Sequence, residues 1–429
     1  MKCALELSIT FCFILAASPV LGDSTTLVSG KSASNPSNGP SSEPSASDTG
    51  QFVAFASLAT NLVSRCDNGL NHIFVRDRNT KKFTCVSVNS SDDQANQDSH
   101  APSISSDGQF IAFDSAATNL AGKCDNGLSH IFVRDVNAGT TRCVSVNSNN
   151  DQANQDSHVP SISSNGQFIA FDSAATNLAG SKCNNGFNHI FVHDRFTGTT
   201  TCVSVNSNGN EGDDNSFDAS ISSDGQMVAF HSSATNLTNR CDNGNSHVFV
   251  HDLTTGETKC VSVDSDGNES NGTSGLARIS GDGLFVAFQS NATNLTSECD
   301  NGFTQIFVRN LTNGETSCAS VDGDENQGDN DSVQPSISAD GQMVAFTSVA
   351  TNLTRTGCIT GNNQVFVRDR NDKKTTCASV RSKKKPGDGD SVTPSISSDG
   401  GVVTFASNSD NLTKKDTNGV VDVFAHVLP

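Results

Sequence analysis

PSISSDGQFIAFDSAATNLAGKCDNGLSHIFVRDVNAGTTRCVSV, residues Pro102–Val146, decides the architecture. It holds four short β-type runs: an inner strand at Pro102–Ser105, a second at Phe110–Asp114, a third at His130–Asp135 and an outer one at Arg142–Asn147. Phe110 and Ala112 point to one face of the second run, Ile111 and Phe113 to the other. Both faces are apolar, so both are buried, as stacked sheets require. Asp107 and Gly108 make one tight turn and Asn137–Thr140 another, with residues able to take positive φ. The frame returns about every 58 residues, its second run falling at Phe52–Phe55, Phe110–Phe113, Phe168–Phe171, Met227–Phe230, Phe285–Phe288, Met343–Phe346 and Val402–Phe405. Seven copies of four short strands predict an all-β fold, a seven-bladed β-propeller of four-stranded blades.

Two connections per unit are long and polar: ATNLAGKCDNG between strands two and three, and SNNDQANQDSHVP from an outer strand to the next inner one. Strand direction alternates, so both emerge on one face of the disc. Long loops on a rigid scaffold are where function concentrates, and that face is the expected working surface.

Fourteen cysteines are present. Cys3 and Cys12 lie in a segment read below as a signal. The other twelve fall as Cys66/Cys85, Cys124/Cys143, Cys183/Cys202, Cys241/Cys260, Cys299/Cys318 and Cys358/Cys377, each pair 19 apart. An even count at fixed spacing reads as a disulfide framework. The repeats also supply the connectivity. In the last copy Asp416 stands at the first cysteine position, and the second is supplied by TTLVSG near the N-terminus, where Leu27 occupies the slot. Both partners are therefore missing from the same unit. Pairing within units leaves no orphan thiol, whereas pairing between neighbours would strand Cys66 and Cys377. Two thiols per unit without a second close Cys or His pair make a poor zinc set. The same match predicts ring closure: the last blade takes its outer strand from Thr25–Ser29, which removes an open sheet edge.

Residues 1–22 read as a secretory signal peptide, with Lys2 before an apolar stretch from Leu7 to Ala17 and Val20 and Gly22 at the cleavage positions; 23–429 form the single propeller domain. Secretion, or a periplasmic location in a bacterium, agrees with six bridges. Nothing after the signal is long and apolar enough to span a membrane. A net charge of −19 argues against nucleic acid and anionic membranes as partners and favours cations, basic proteins or no partner at all, since net charge also keeps a protein soluble. Trp and Tyr are absent, and the 25 Phe residues belong to the core pattern. Asn-x-Ser/Thr sequons, among them Asn89, Asn236 and Asn411, are candidate glycosylation sites in a eukaryote.

The pattern P-S-I-S-x-D-G-x-x-V-A-F-x-S-x-A-T-N-L, D-x-N-G-x-x-D-V-F-V-x-D, T-T-x-V-S-V resembles the TolB-like (WD-like) β-propeller repeat. PSISADGQMVAFTSVATNL from Pro335 and DTNGVVDVFAHV from Asp416 carry the resemblance, which spans about Thr25 to Pro429. It implies the propeller fold and a secreted or periplasmic binding role. The cysteine pairs are the departure, replacing the first acidic position in six units.

Three sets of residues could carry chemistry. Asp416, Asn418 and Asp422 place oxygen side chains around Gly419, a pattern suited to Ca²⁺ though far short of a full EF-hand loop; the plainer reading is an Asx-type turn. The equivalents of Asp422 in the other blades are His72, His130, His189, His247, Gln305 and Gln364, which recur by symmetry and cannot converge on one ligand. Asp98, Asp156, Asn215, Asp331 and Asp390 precede the inner strands and, at the rim of a central channel, would attract a cation or a basic loop; loop capping is the alternative. Arg278 interrupts the series Ser103, Ser161, Ser220, Ser336 and Ser395 and is a candidate anion contact, with a simple surface substitution as the plainer reading. Lys383–Lys385 form the one basic run. No nucleophile motif stands out. The sequence therefore points to a secreted, monomeric, non-catalytic binding propeller that requires no cofactor, with an extracellular protein or a cation as partner. The alternatives are a secreted hydrolase or metal-assisted enzyme using the channel, and a multivalent lectin, which the lack of Trp and Tyr disfavours.

Overall fold

Each second strand is apolar on both faces because it is sandwiched between neighbouring sheets. In a computed structural model, which describes residues 24–30, 35–355, 357, 358, 360–381, 385–414, 416 and 418–429, seven antiparallel four-stranded sheets follow one another around a ring. The proposed signal, Cys3, Cys12, Lys383 and Lys384 lie outside the described residues. Blade two runs Ser99–Ile104, Phe110–Ser115, His130–Asp135, Thr140–Cys143, in that spatial order. Blade seven runs Ser391–Ile396, Val402–Ser407, Asp422–Val427, and is completed by Ser24–Leu27 from the other end of the chain. Ser24 pairs with Val427 and Leu27 with Phe424, the expected closure. Among the described residues there is no helix, and none long and apolar enough to cross a membrane.

The core lies between blades. One cluster joins Ala54, Ile73 and Val75 of blade one to Ile111, Phe113 and Phe132 of blade two. Another joins Val402, Val423 and Ala425 of blade seven to Phe55 and Phe74 of blade one, so the packing has no gap at the closure. Each blade stacks one Phe from its second strand on one from its third, with ring centroids 5.8–6.0 Å apart. Burying each such side chain is worth about 1.5–3 kcal/mol.

The six disulfides pair as expected, within blades one to six, with Cα–Cα distances of 6.2–6.4 Å. Outer strands end at the second cysteine, earlier than the pattern suggests. Beyond it a serine hydroxyl replaces the ladder: Ile131 N donates to Ser145 Oγ at 3.0 Å, and Val146 turns to bridge Gln152.

Tight turns are fitted to the blade next door. Gly108 has φ 74°, and a Cβ there would lie 2.5 Å from the Phe52 ring of blade one; Gly166 repeats this against Phe110 at 2.3 Å. At this end of the channel seven main-chain hydrogen bonds close a circle, from Asp48 N to Ser106 O, Ser106 N to Ser164 O, and onward until Asp399 N reaches Asp48 O. Two residues further in, a serine hydroxyl accepts from a main-chain amide of the following blade, Ala46 in blade one and an isoleucine in the others, as Ser103 Oγ does from Ile162 N at 3.1 Å. This belt has six rungs of that kind, because position 278 holds arginine.

Candidate functional site

Inner strands begin at the long-loop end and carry a feature absent from the sequence pattern. Every one has a β-bulge: in blade two the register slips between His100 and Ser103, leaving Ala101 and Pro102 opposite one residue of the second strand. The proline lacks an N–H, which suits a bulge. The first bulge residue takes a left-handed conformation in all seven blades, followed by proline in five of them and by Ala219 and Ala277 in the other two: Glu43 (φ 54°), Ala101 (48°), Val159 (48°), Asp218 (54°), Leu276 (46°), Gln334 (56°) and Thr393 (52°). Non-glycine residues held there cost of order 1–3 kcal/mol each and cluster at functional sites. Six of these seven side chains line a cavity of about 360 Å³ in the mouth of the channel, together with Arg278 and the bulge prolines.

Here the sevenfold pattern breaks. The bulge column reads Glu, Ala, Val, Asp, Leu, Gln, Thr. The facing column of the second strands reads Ala56, Asp114, Asp172, His231, Gln289, Thr347 and Ala406. Together they form a polar belt that runs from blade to blade. Glu43 Oε2 accepts from Ala101 N at 2.7 Å. Asp114 Oδ2 meets His158 Nδ1 of blade three at 3.2 Å. Asp218 Oδ2 lies 3.6 Å from His231 Nδ1. Gln289 Oε1 accepts from Gln334 N at 3.1 Å, and Gln334 Oε1 from Thr393 N at 3.1 Å.

The electrostatics follow from burial. Asp172 is 3 % exposed, and desolvation with help from the Asp218 charge pushes its carboxyl up to about 7. His158 is held above the usual imidazole range, chiefly by its hydrogen bond to Asp114. His231 is pushed down by burial, partly offset by Asp218, and its ring lies 5.9 Å from that of Phe217. Glu43 and Arg278 are the charged side chains that line the cavity itself, whereas Asp114, Asp172 and Asp218 belong to the belt without lining it. No two blades carry the same pair of side chains at these two columns.

The residues singled out from sequence sit elsewhere, except Arg278, whose Nη1 donates to Ala277 O at 2.8 Å inside the channel lining. Asp98, Asp156, Asn215, Asp331 and Asp390 cap the loop ahead of the preceding blade's third strand, accepting from the amides of Asn71, Ser129, Asn188, Thr304 and Asn363 at 2.7–2.9 Å. The cavity is lined by the residues three to five positions after them instead. The repeated histidines are locked. His72 Nδ1 meets Ser87 Oγ and Nε2 meets Asn68 Oδ1, both at 2.8 Å, and burial pushes its ring down to about 4. Cys66 and Cys85 lie beside that ring, but each sulfur is bonded to the other.

Blade seven differs. Asp422 takes the His72 position and is fully buried; its Oδ1 accepts from Ser29 Oγ (2.5 Å) and Ser37 Oγ (2.7 Å), its Oδ2 from Asn418 Nδ2 (2.7 Å). Asp416, in the first cysteine slot, is 2 % exposed, close enough to interact directly with Asp422, and its Oδ1 has no hydrogen-bond partner.

No protein-family model matches the chain, and no curated protein matches it. Solved structures do. The β-propeller domain of the Trilobed protease from Pyrococcus furiosus matches with a TM-score of 0.54 at 11 % identity, over 90 % of this chain and 95 % of that one. Pyrococcus horikoshii acylaminoacyl peptidase matches with a TM-score of 0.50 at 12 % identity, over 86 % of this chain and 49 % of that one. TolB from Acinetobacter baumannii matches with a TM-score of 0.42 at 17 % identity, over 83 % and 76 %. The Trilobed propeller is described as having an open velcro topology, whereas here the N-terminal strand zips onto the C-terminal one. What this chain shares with these proteins is their fold, and it is a β-propeller of seven blades closed by its own two ends.

Proposed function

We propose that this is a secreted, non-catalytic binding module whose partner lands on the long-loop face and places a cationic group, such as a lysine, arginine or amine, in the channel mouth. The observation that carries the reading is the non-repeating belt of Asp114, His158, Asp172, Asp218, His231 and Arg278 beneath that face. The carboxylates of Glu43, Asp114 and Asp218 on this rim would draw in and hold a cation in a partly desolvated cavity. Apolar contacts flank it: Leu58, Phe187 and Phe303, each about two-fifths exposed, project from loops on the same face. Six disulfides support an extracellular or periplasmic setting.

A hydrolytic enzyme using the channel is the second reading, favoured by imidazoles set beside carboxylates. The binding reading is preferred because, among the described residues, neither His158 nor His231 holds a serine or threonine hydroxyl that it could activate. The test is binding of Lys/Arg-rich, acidic and neutral peptides to the mature protein by calorimetry. Basic peptides should bind, and Asp218→Asn should weaken them tenfold or more while Phe196→Ser on the opposite face has no effect. Binding indifferent to peptide charge, or unchanged by Asp218→Asn, refutes the reading.

A further inference from the structure

In blades one to six a disulfide ties the loop ahead of the third strand to the outer strand. In blade seven that tie would join opposite ends of the chain, yet Asp416 and Leu27 hold the two slots. Leu27 faces Phe424 as Cys85 faces Phe74, and Ser29 Oγ accepts from Val423 N as Ser87 Oγ does from Ile73 N. The geometry is conserved; the covalent link is not. In its place are two buried carboxylates, Asp416 and Asp422, and among the described residues neither takes part in an ion pair.

Asp422 is saturated by three donors, two of them the N-terminal serines 29 and 37. Asp416 has a buried, unpartnered oxygen beside it. Burying a carboxyl oxygen without a partner is costly, and costlier still next to a second carboxyl group. An oxygen-rich, sulfur-free set of this kind suits a hard divalent cation.

We propose that a calcium ion binds between Asp416 and Asp422 and serves as the seventh staple, holding the N-terminal strand to the C-terminal hairpin where the other blades use a disulfide. Asp416 supplies its free oxygen, Asp422 shares its carboxylate, and Asn418, which also donates to Ser37 O at 3.1 Å, orients the loop. The site would tie closure of the ring to extracellular calcium, independently of what the channel binds.

The test uses the full mature chain, chelated and then titrated with CaCl₂, read by calorimetric stoichiometry and by Tm. One calcium per chain is expected, with Tm rising about 3 °C at a hundredfold excess over Kd. Asp416→Asn should lose both signals. In the Leu27→Cys/Asp416→Cys double variant a seventh disulfide should form, leaving no further free thiol, with Tm insensitive to calcium. The proposal is overturned if the parent binds no calcium up to 10-fold above the millimolar range typical of extracellular sites, or if either variant keeps the parent's response.

Discussion

Replacing Asp172 by asparagine removes a buried charge and little else. The carboxyl is 3 % exposed, accepts from Asn188 Nδ2 at 3.2 Å, and is faced by Asp114, His158 and Asp218. An amide oxygen keeps the Asn188 bond, and His158 keeps Asp114 as its main partner. Burial and the Asp218 charge raise this carboxyl from 3.8 to about 7, so the folded chain holds its proton while the unfolded chain has released it. Stability therefore falls as pH rises between about 4 and 7 and stays low above. At 1.36 kcal/mol per pH unit the loss is about 4 kcal/mol. Below pH 4 both states are protonated and the variant should match the parent. At pH 8 Asp172→Asn should be the more stable by up to about 4 kcal/mol, roughly 5 °C in Tm for a ring of this size. Subtracting melting curves of parent and variant from pH 4 to 8.5 cancels every other titration. A difference that does not change with pH, or a variant less stable at pH 8, would show that Asp172 is ionised and satisfied, and the account of the channel electrostatics would fail.

Other consequences are equally open to measurement. Replacing Cys124 and Cys143 by serine should cost about 3 kcal/mol in urea titrations by the chain-entropy model of a loop this size; an unchanged midpoint would contradict a stapling role. Gly166→Ala combines a positive φ with a Cβ 2.3 Å from the Phe110 ring, and should lower stability by roughly 1–3 kcal/mol; a neutral result would mean the blade contact is loose. Arg278→Ser should restore the missing hydroxyl rung to Ile337 and gain about 1 kcal/mol in thermal unfolding, and a loss would show that the guanidinium supports the belt.

Architecture was legible because repetition amplifies weak local signals. One F-x-A-F run is ambiguous, but seven at constant spacing are not, and the paired loss of cysteines at Asp416 and Leu27 encoded both bridge pattern and closure. The site was harder to see for the same reason. Searching for what recurs drew attention to Asp98 and its equivalents, which the fold uses as caps, and away from columns that vary. Asp114, Asp172 and His231 look like neutral surface choices along their own strands. Only pairing with His100, His158 and Phe217 across a bulge that no local propensity announces brings unlike residues to one rim. A column-by-column comparison of the repeats would have marked them, since charge that changes from unit to unit in a half-buried slot is not explained by packing.

Because Ser24 lies opposite Val427, the first strand begins at the corner of the disc where the last strand ends. Tension between tags fused to both ends would peel that strand pair one rung at a time rather than slide it, so a doubly tethered version should fail at low force. A short peptide joining the two ends would give a continuous circular chain. Fresh ends could then be cut within any blade that already has a sulfur bridge, turning the weakest seam into one of the strongest.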